Sequence, residues 1–165
     1  MKIIIPGPPI PKMRHRHAGK RSYDPQSDEK EEVAKILDYQ YSCYLSEAMD
    51  SDDKEIVLKA SKLTLADAFD VKMTFHMPIP KSCSKTKRKA IAADMTNDVF
   101  HTCKPDVDNL CKFYCDAANG ILWTDDSQIV HLEALKIYSF EPRTEIEFFE
   151  AKYRSPQYGT GKINC

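Results

Sequence analysis

No apolar run in this chain approaches the roughly 18 to 20 residues that a membrane span needs. The opening Met1-Lys2-Ile3-Ile4-Ile5-Pro6 is likewise too short for the apolar stretch of a secretory leader. These two absences make the cytoplasm the expected location. A paired Cys-x2-Cys knuckle is also missing. The six cysteines (Cys43, Cys83, Cys103, Cys111, Cys115 and Cys165) are scattered, and without an export signal such scatter favours reduced, packed thiols over a disulfide framework. A zinc site would have to draw on His101, Cys103, Cys111 and Cys115, without the paired spacing that carries such sites. Repeats and low-complexity segments are absent as well. The 165 residues suit one core and are short for two, so one domain is expected.

Net charge is nearly absent too: the formal value of -1 argues against a generic binder of polyanions. The total conceals a separation of signs. Lys12, Arg14, Arg16, Lys20 and Arg21, with His15 and His17 among them, form one basic stretch; Lys81, Lys85, Lys87, Arg88 and Lys89 form another. Acid gathers elsewhere, at residues 24–32, 50–55 and 141–150.

Residues 2–5 read as a short β-branched strand, stopped by the prolines of residues 6–11, and a basic loop then runs to Tyr23. From Ser27, expected as N-cap with Asp28 and Glu29 in the first turn, Val33, Ile36, Leu37, Tyr41, Tyr44, Leu45 and Ala48 recur at helical spacing. Residues 50–65 give mixed signals, helical insertion or loop. Phe69, Val71, Met73, Phe75 and Met77 alternate with polar residues as a strand with one buried face does, closed by Pro78 and Pro80. Residues 84–96 resemble a basic surface helix. Residues 105–119 have helical spacing, with Leu110, Phe113, Tyr114, Ala117 and Ala118 on the apolar side and Gly120 ending the helix at C'. Residues 127–138 and 143–152 alternate around Ser139-Phe140-Glu141-Pro142 and are expected to form an antiparallel hairpin. The fold expected is α+β: a single domain over 1–153, with a mixed β-sheet packed with α-helices, and a loose C-terminal tail over 154–165.

The chemistry concentrates in Lys104-Pro105-Asp106-Val107-Asp108-Asn109-Leu110-Cys111-Lys112 and in Trp123-Thr124-Asp125-Asp126-Ser127-Gln128. On a helix, residues two apart point about 200° away from each other, whereas on an extended chain they share a face. If Asp106 and Asp108 act together, the chain should be extended through Val107 and the helix should begin near Asp108 as N-cap. Lys112 then lies one turn inside, on the face of Asp108, with Asp116 a further turn along. Asp125 and Asp126 point oppositely in a strand, so one of them is expected to be a principal ligand. Carboxylates that converge repel each other unless a cation holds them, and hard oxygen donors suit Mg2+ or Mn2+. The same residues also fit an ordinary i,i+4 ion-pair ladder and an acidic turn. Spacing leaves both open. Trp123 is expected to be a core anchor, Asn109 to support Asp108 or cap locally, and His76, His101 and His131 to be strand or loop residues.

The order of these residues, continued through Ala118-Asn119-Gly120-Ile121-Leu122-Trp123 and on to Ile129-Val130, closely resembles the signature of the RusA family of crossover-junction endodeoxyribonucleases. Residues 5–12, the later Arg21-Ser22-Tyr23-Asp24-Pro25 and the lysine-rich 84–90 also look like that family; residues 38–65 and the tail do not match it. The resemblance implies metal-binding aspartates at Asp106, Asp108 and Asp126, a catalytic lysine at Lys112 and an associated helix acid at Asp116. It also implies Mg2+ or Mn2+ as cofactor, and a homodimer that cuts Holliday junctions and related branched DNA in recombination and repair, many relatives being phage or prophage proteins. A scaffold that binds branched DNA without turnover is the alternative. Such a nuclease needs cationic surface apart from its acidic centre, and Lys12, Arg14, Arg16, Lys20, Arg21, Lys85, Lys87, Arg88, Lys89 and Lys104 are the expected DNA contacts, with His15, His17 and Tyr23 adding to them.

Overall fold

The computed structural model describes residues 1–14, 16–18, 21–86, 88–89 and 99–151. The chain folds as a single α+β domain around a four-stranded mixed sheet in the order β1-β6-β4-β5, where β1 is Lys2–Pro6, β4 Phe69–Pro78, β5 Ile129–Ser139 and β6 Arg143–Glu150. Strands β1 and β4 both run antiparallel to β6, and β5 runs parallel to β4. Two short strands, β2 (Arg16–Ala18) and β3 (Arg21–Tyr23), form a separate two-stranded ribbon. Three helices complete the described fold: α1 (Ser27–Met49), α2 (Lys54–Thr64) and α3 (Val107–Ala118). None is long and apolar enough to cross a membrane.

The alternation along β4 places Phe69, Val71, Met73, Phe75 and Met77 in one core with Ile3 and Ile5 of β1, Ile146 and Phe148 of β6, and the apolar stripes of α1 and α3. Such a strand needs neighbours on both sides, and this decides the fate of the expected hairpin. Strands β5 and β6 do not pair with each other; they flank β4, one parallel and one antiparallel. The short connection through Phe140 and Pro142 crosses the end of β4, where Pro78 closes the strand. A parallel neighbour requires a long crossover, and α3 lies within the one that joins β4 to β5.

Two further expectations are corrected, and one left open is decided. Residues 14–23 are not wholly loop, since they contain the β2–β3 ribbon. Helix α1 begins at Ser27, but its N-cap is Gln26. The mixed segment at 50–65 holds α2, capped by Asp53, whose side chain accepts from the Glu55 N–H at 2.8 Å, with Ala60 and Leu63 buried. Of the expected basic helix at 84–96, residues 85–86 and 88–89 are helical, and 90–98 lie outside the described residues. The expected tail also lies beyond the last described residue, Ala151.

Candidate active site

Helix α3 carries most of the expected site. Its inner face buries Leu110, Phe113, Tyr114, Ala117 and Ala118, so the opposite side is left to solvent. The helix begins two residues earlier than the extended-chain argument requires. Val107 is already helical and Asp106 is the N-cap, with φ -72° and ψ 145° and no side-chain capping hydrogen bond. Asp106 and Asp108 therefore do not share an extended face; they flank the first turn. Asp106, in extended geometry at a helix N-terminus, brings its anion near the positive end of the backbone dipole.

Asp108 accepts a hydrogen bond from Lys112 Nζ at 3.2 Å, both side chains being more than half exposed. That contact, with help from the Asn109 backbone N–H, holds the Asp108 carboxyl below the usual carboxylate range. At this exposure solvent screens the pair and it adds little to stability. At the far end Asn119 is the C-cap and Gly120 takes φ +77°, the left-handed geometry that turns the chain back. The Trp123 ring, 3% exposed, lies 6.1 Å from Phe69 and 6.4 Å from Phe148 between ring centroids, and its Nε1 donates to Asn119 Oδ1 at 2.9 Å. Trp123 is thus the anchor of this return.

The acidic pair that follows divides its work. Asp125 is the N-cap of a short 3-10 turn over Asp126–Gln128, its Oδ1 accepting from the Ser127 N–H at 3.0 Å while Gln128 Oε1 accepts from the Thr124 N–H at 2.7 Å. Asp125 is a structural cap, and Asp126 stays exposed beside it. Asp126 is within electrostatic reach of Cys115 on α3. Burial pushes the Cys115 thiol up to about 12, and the charges of Asp126 and Asp116 add to that push. Burial likewise raises Cys111, one turn earlier, with Asp108 adding to it.

Among the described residues, no group of three or more His, Cys, Asp or Glu side chains stands close enough together to hold a metal ion. The expected convergence of Asp106, Asp108 and Asp126 is therefore not found among the described residues, and Asp108 instead takes Lys112 as partner. The donors still fit a hard divalent cation in kind, since carboxylate oxygens are what Mg2+ and Mn2+ prefer. The zinc alternative fails on geometry: Cys111 and Cys115 are buried packing residues, the His101 ring lies 4.7 Å from that of Tyr138, and Cys103 Sγ accepts from the Tyr138 hydroxyl at 3.9 Å. A cavity of about 350 Å3 beside Trp123 is lined by Tyr41, Leu63, Phe69 and Gln128 and by none of the three aspartates. The aspartates instead stand exposed on open surface, which suits a large substrate better than a small enclosed one.

The expected DNA contacts separate into three groups. Arg14, Lys85, Arg88, Lys89 and Lys104 are exposed, and Arg16 and Arg21 lie on the ribbon. His15, Lys20 and Lys87 lie outside the described residues. Lys12 turns inward. Its Nζ pairs with Asp116 Oδ2, and with Asp24 Oδ2 at 3.6 Å, while its backbone N–H donates to the Asn109 carbonyl at 2.8 Å. Asp116 thus points to the N-terminal segment, accepting also from Lys30 Nζ at 3.3 Å.

Local patterns missed three residues. Gln26, 1% exposed, accepts from the Met13 N–H at 2.5 Å and donates to the Pro11 carbonyl at 2.9 Å. Lys30 Nζ donates to Asp24 Oδ2 at 2.5 Å. Lys136 of β5 donates to the carbonyls of Cys103 at 2.6 Å and Pro105 at 2.5 Å, holding the turn that enters Asp106. Long-range contacts of this kind leave no trace in periodicity.

The Lys30 hydrogen bond, with help from the Gln26 N–H, lowers the Asp24 carboxyl to about 2. An unfolded chain ionises near about 3.9, so folding gains from Asp24 fully above that value and loses the gain as pH falls through about 2. Asp24→Asn should therefore flatten the fall in Tm between about pH 4 and pH 2, read by thermal melts at half-unit steps. An unchanged pH profile would contradict the assignment.

The described fold is a single α+β domain with exposed carboxylates and a lysine on one helix. The family model described as Endodeoxyribonuclease RusA matches residues 6–148, and the chain belongs to that family of endodeoxyribonucleases. A relative in Bacillus subtilis (strain 168), named uncharacterized protein YqaN, is 44% identical over 79 residues, covering 48% of this chain and 54% of that protein. The chain thus spans about half the length of that relative.

Proposed function

We propose that this protein is a divalent-metal-dependent, structure-selective endonuclease that resolves Holliday junctions and related branched DNA during recombination and repair. Family membership across residues 6–148 carries the reading. The grouping of Asp106, Asp108 and Lys112 at one end of α3 supports it.

Asp106, Asp108 and Asp126 would hold a Mg2+ or Mn2+ ion. When bound, such an ion supplies Lewis acidity toward a scissile phosphate and an attacking water. Lys112, one turn into the helix, balances the negative charge that gathers on phosphorus as the bond breaks. Asn109 supports Asp108 through its backbone N–H, and Asp125 fixes the turn that presents Asp126. The exposed bases and the ribbon bind the phosphates on either side, and a homodimer would present two such sites to opposing strands.

The test is incubation of purified protein with a synthetic four-way junction and with a linear duplex of matched sequence. Mg2+-dependent paired nicks in the junction alone are the expected result, and equal cutting of the duplex would remove junction selectivity. Arg14→Ala combined with Arg16→Ala should weaken junction binding and flatten its salt slope by about 2, as fewer counterions are released. An unchanged slope would show that the ribbon does not touch phosphate. The absence of a tight carboxylate group among the described residues favours a second reading, junction binding without turnover. Retained binding with no nicks in Mg2+ or Mn2+ would establish it.

A further inference from the structure

The basic ribbon stands apart from the four-stranded sheet. Among the described residues strands β2 and β3 pair with each other and join no other sheet, and an isolated two-stranded hairpin is marginal at best in water. Both roots of the ribbon are charged. Lys12 stands four residues before β2, and Asp24 directly follows β3. Asp24 pairs with Lys30 of α1, Lys30 with Asp116 of α3, Asp116 with Lys12, and Lys12 with Asp24, which closes a ring of two cations and two anions. Lys12, Lys30 and Asp24 are each only about one fifth exposed, at 18%, 21% and 20%. This ring is less screened than an ordinary surface pair. Neutral hydrogen bonds reinforce it: Gln26 bridges Pro11 and Met13, and the Ile10 N–H donates to the Tyr114 hydroxyl at 3.1 Å.

We infer that Asp24, Lys30, Asp116 and Lys12 form a clamp that fixes both ends of the basic ribbon on α3, and that Lys30 is a positioning residue for DNA rather than a contact with it. This rests on the proposed nuclease reading. A ring that served fold stability alone could join any two elements. This one joins the two chain positions that bound the ribbon to the helix that bears Asp108 and Lys112. With both roots fixed, the ribbon meets phosphate without first losing orientational freedom; with the roots loosened, that loss is charged to binding. Loosening should therefore act on KM and leave kcat at saturating junction nearly unchanged.

Lys30→Met, which removes the cation, and Lys30→Arg, which keeps it, separate the possibilities. For Lys30→Met, KM for the junction should rise about tenfold with kcat within about twofold. Without DNA, trypsin should cleave between Arg14 and Arg21 several-fold faster than in wild type. Lys30→Arg should restore both. A Lys30→Met protein whose KM and ribbon cleavage match wild type, even with a lowered Tm, would overturn the clamp. Should wild type cut no DNA at all, the nuclease reading falls, and the trypsin comparison still decides the clamp. If Lys30→Met does not fold, Asp24→Asn with Asp24→Glu as its rescue makes the same comparison.

Discussion

Asp108→Asn should reduce Mg2+-dependent junction cleavage by roughly 10²- to 10³-fold while leaving junction binding within about twofold. The stability side of that prediction is small. The Asp108–Lys112 contact spans one helical turn between side chains 62% and 64% exposed. Solvent screens pairs this exposed, so the variant should melt within a degree or two of wild type. A large loss of rate at constant Tm then belongs to chemistry, because asparagine keeps the shape of the side chain and removes the anion. If the exchange left the rate within tenfold of wild type, Asp108 would belong to an ordinary ion-pair ladder on a solvated helix.

Trp123→Ala has the largest expected effect on the fold. The ring is 3% exposed, lies against Phe69 and Phe148, and places its N–H on Asn119 across the turn at Gly120. Removing a buried ring of that size costs about 3 to 5 kcal/mol, which for a domain of this length corresponds to a fall in Tm of roughly 10 °C. Trp123→Phe, which keeps most of the buried ring and loses the hydrogen bond, should fall by about a third of that. The residue also ties α3 to the segment bearing Asp126, so cleavage should suffer beyond the fraction unfolded. A thermal melt of Trp123→Ala within about 2 °C of wild type would show that the return is held by something else.

Much of this was legible in the residues because it rests on local periodicity. The apolar stripes of α1 and α3, the alternation in β4 and the stop at Gly120 each follow from the spacing of side chains on one chain segment. Strand pairing does not. Both β5 and β6 alternate, and Ser139-Phe140-Glu141-Pro142 has the composition of a hairpin turn; the requirement of β4 for two neighbours overrode it. Local patterning singled out Asp106, Asp108, Lys112 and Asp126 along the chain. It did not show that Val107 is helical, nor that Asp125 is consumed as a cap.

Lys12 shows the other limit. In a stretch with Arg14, Arg16, Lys20 and Arg21 its charge reads as one more phosphate contact, yet its partner Asp116 lies 104 residues away. Lys30 and Lys136 were invisible for the same reason, because their partners lie far along the chain or are backbone carbonyls. The acidic tally of α3 also misled. Asp108 and Asp116 share a helical face two turns apart, but one faces solvent and Lys112 while the other serves the roots of the ribbon.

The central claim is that Asp106, Asp108 and Asp126 jointly hold one divalent cation, and Mn2+ titration followed by electron paramagnetic resonance measures it without reference to turnover. Wild type should bind one Mn2+ per chain, and Asp106→Asn, Asp108→Asn and Asp126→Asn should each raise Kd at least about tenfold. A wild-type Kd shared by all three variants would contradict the account.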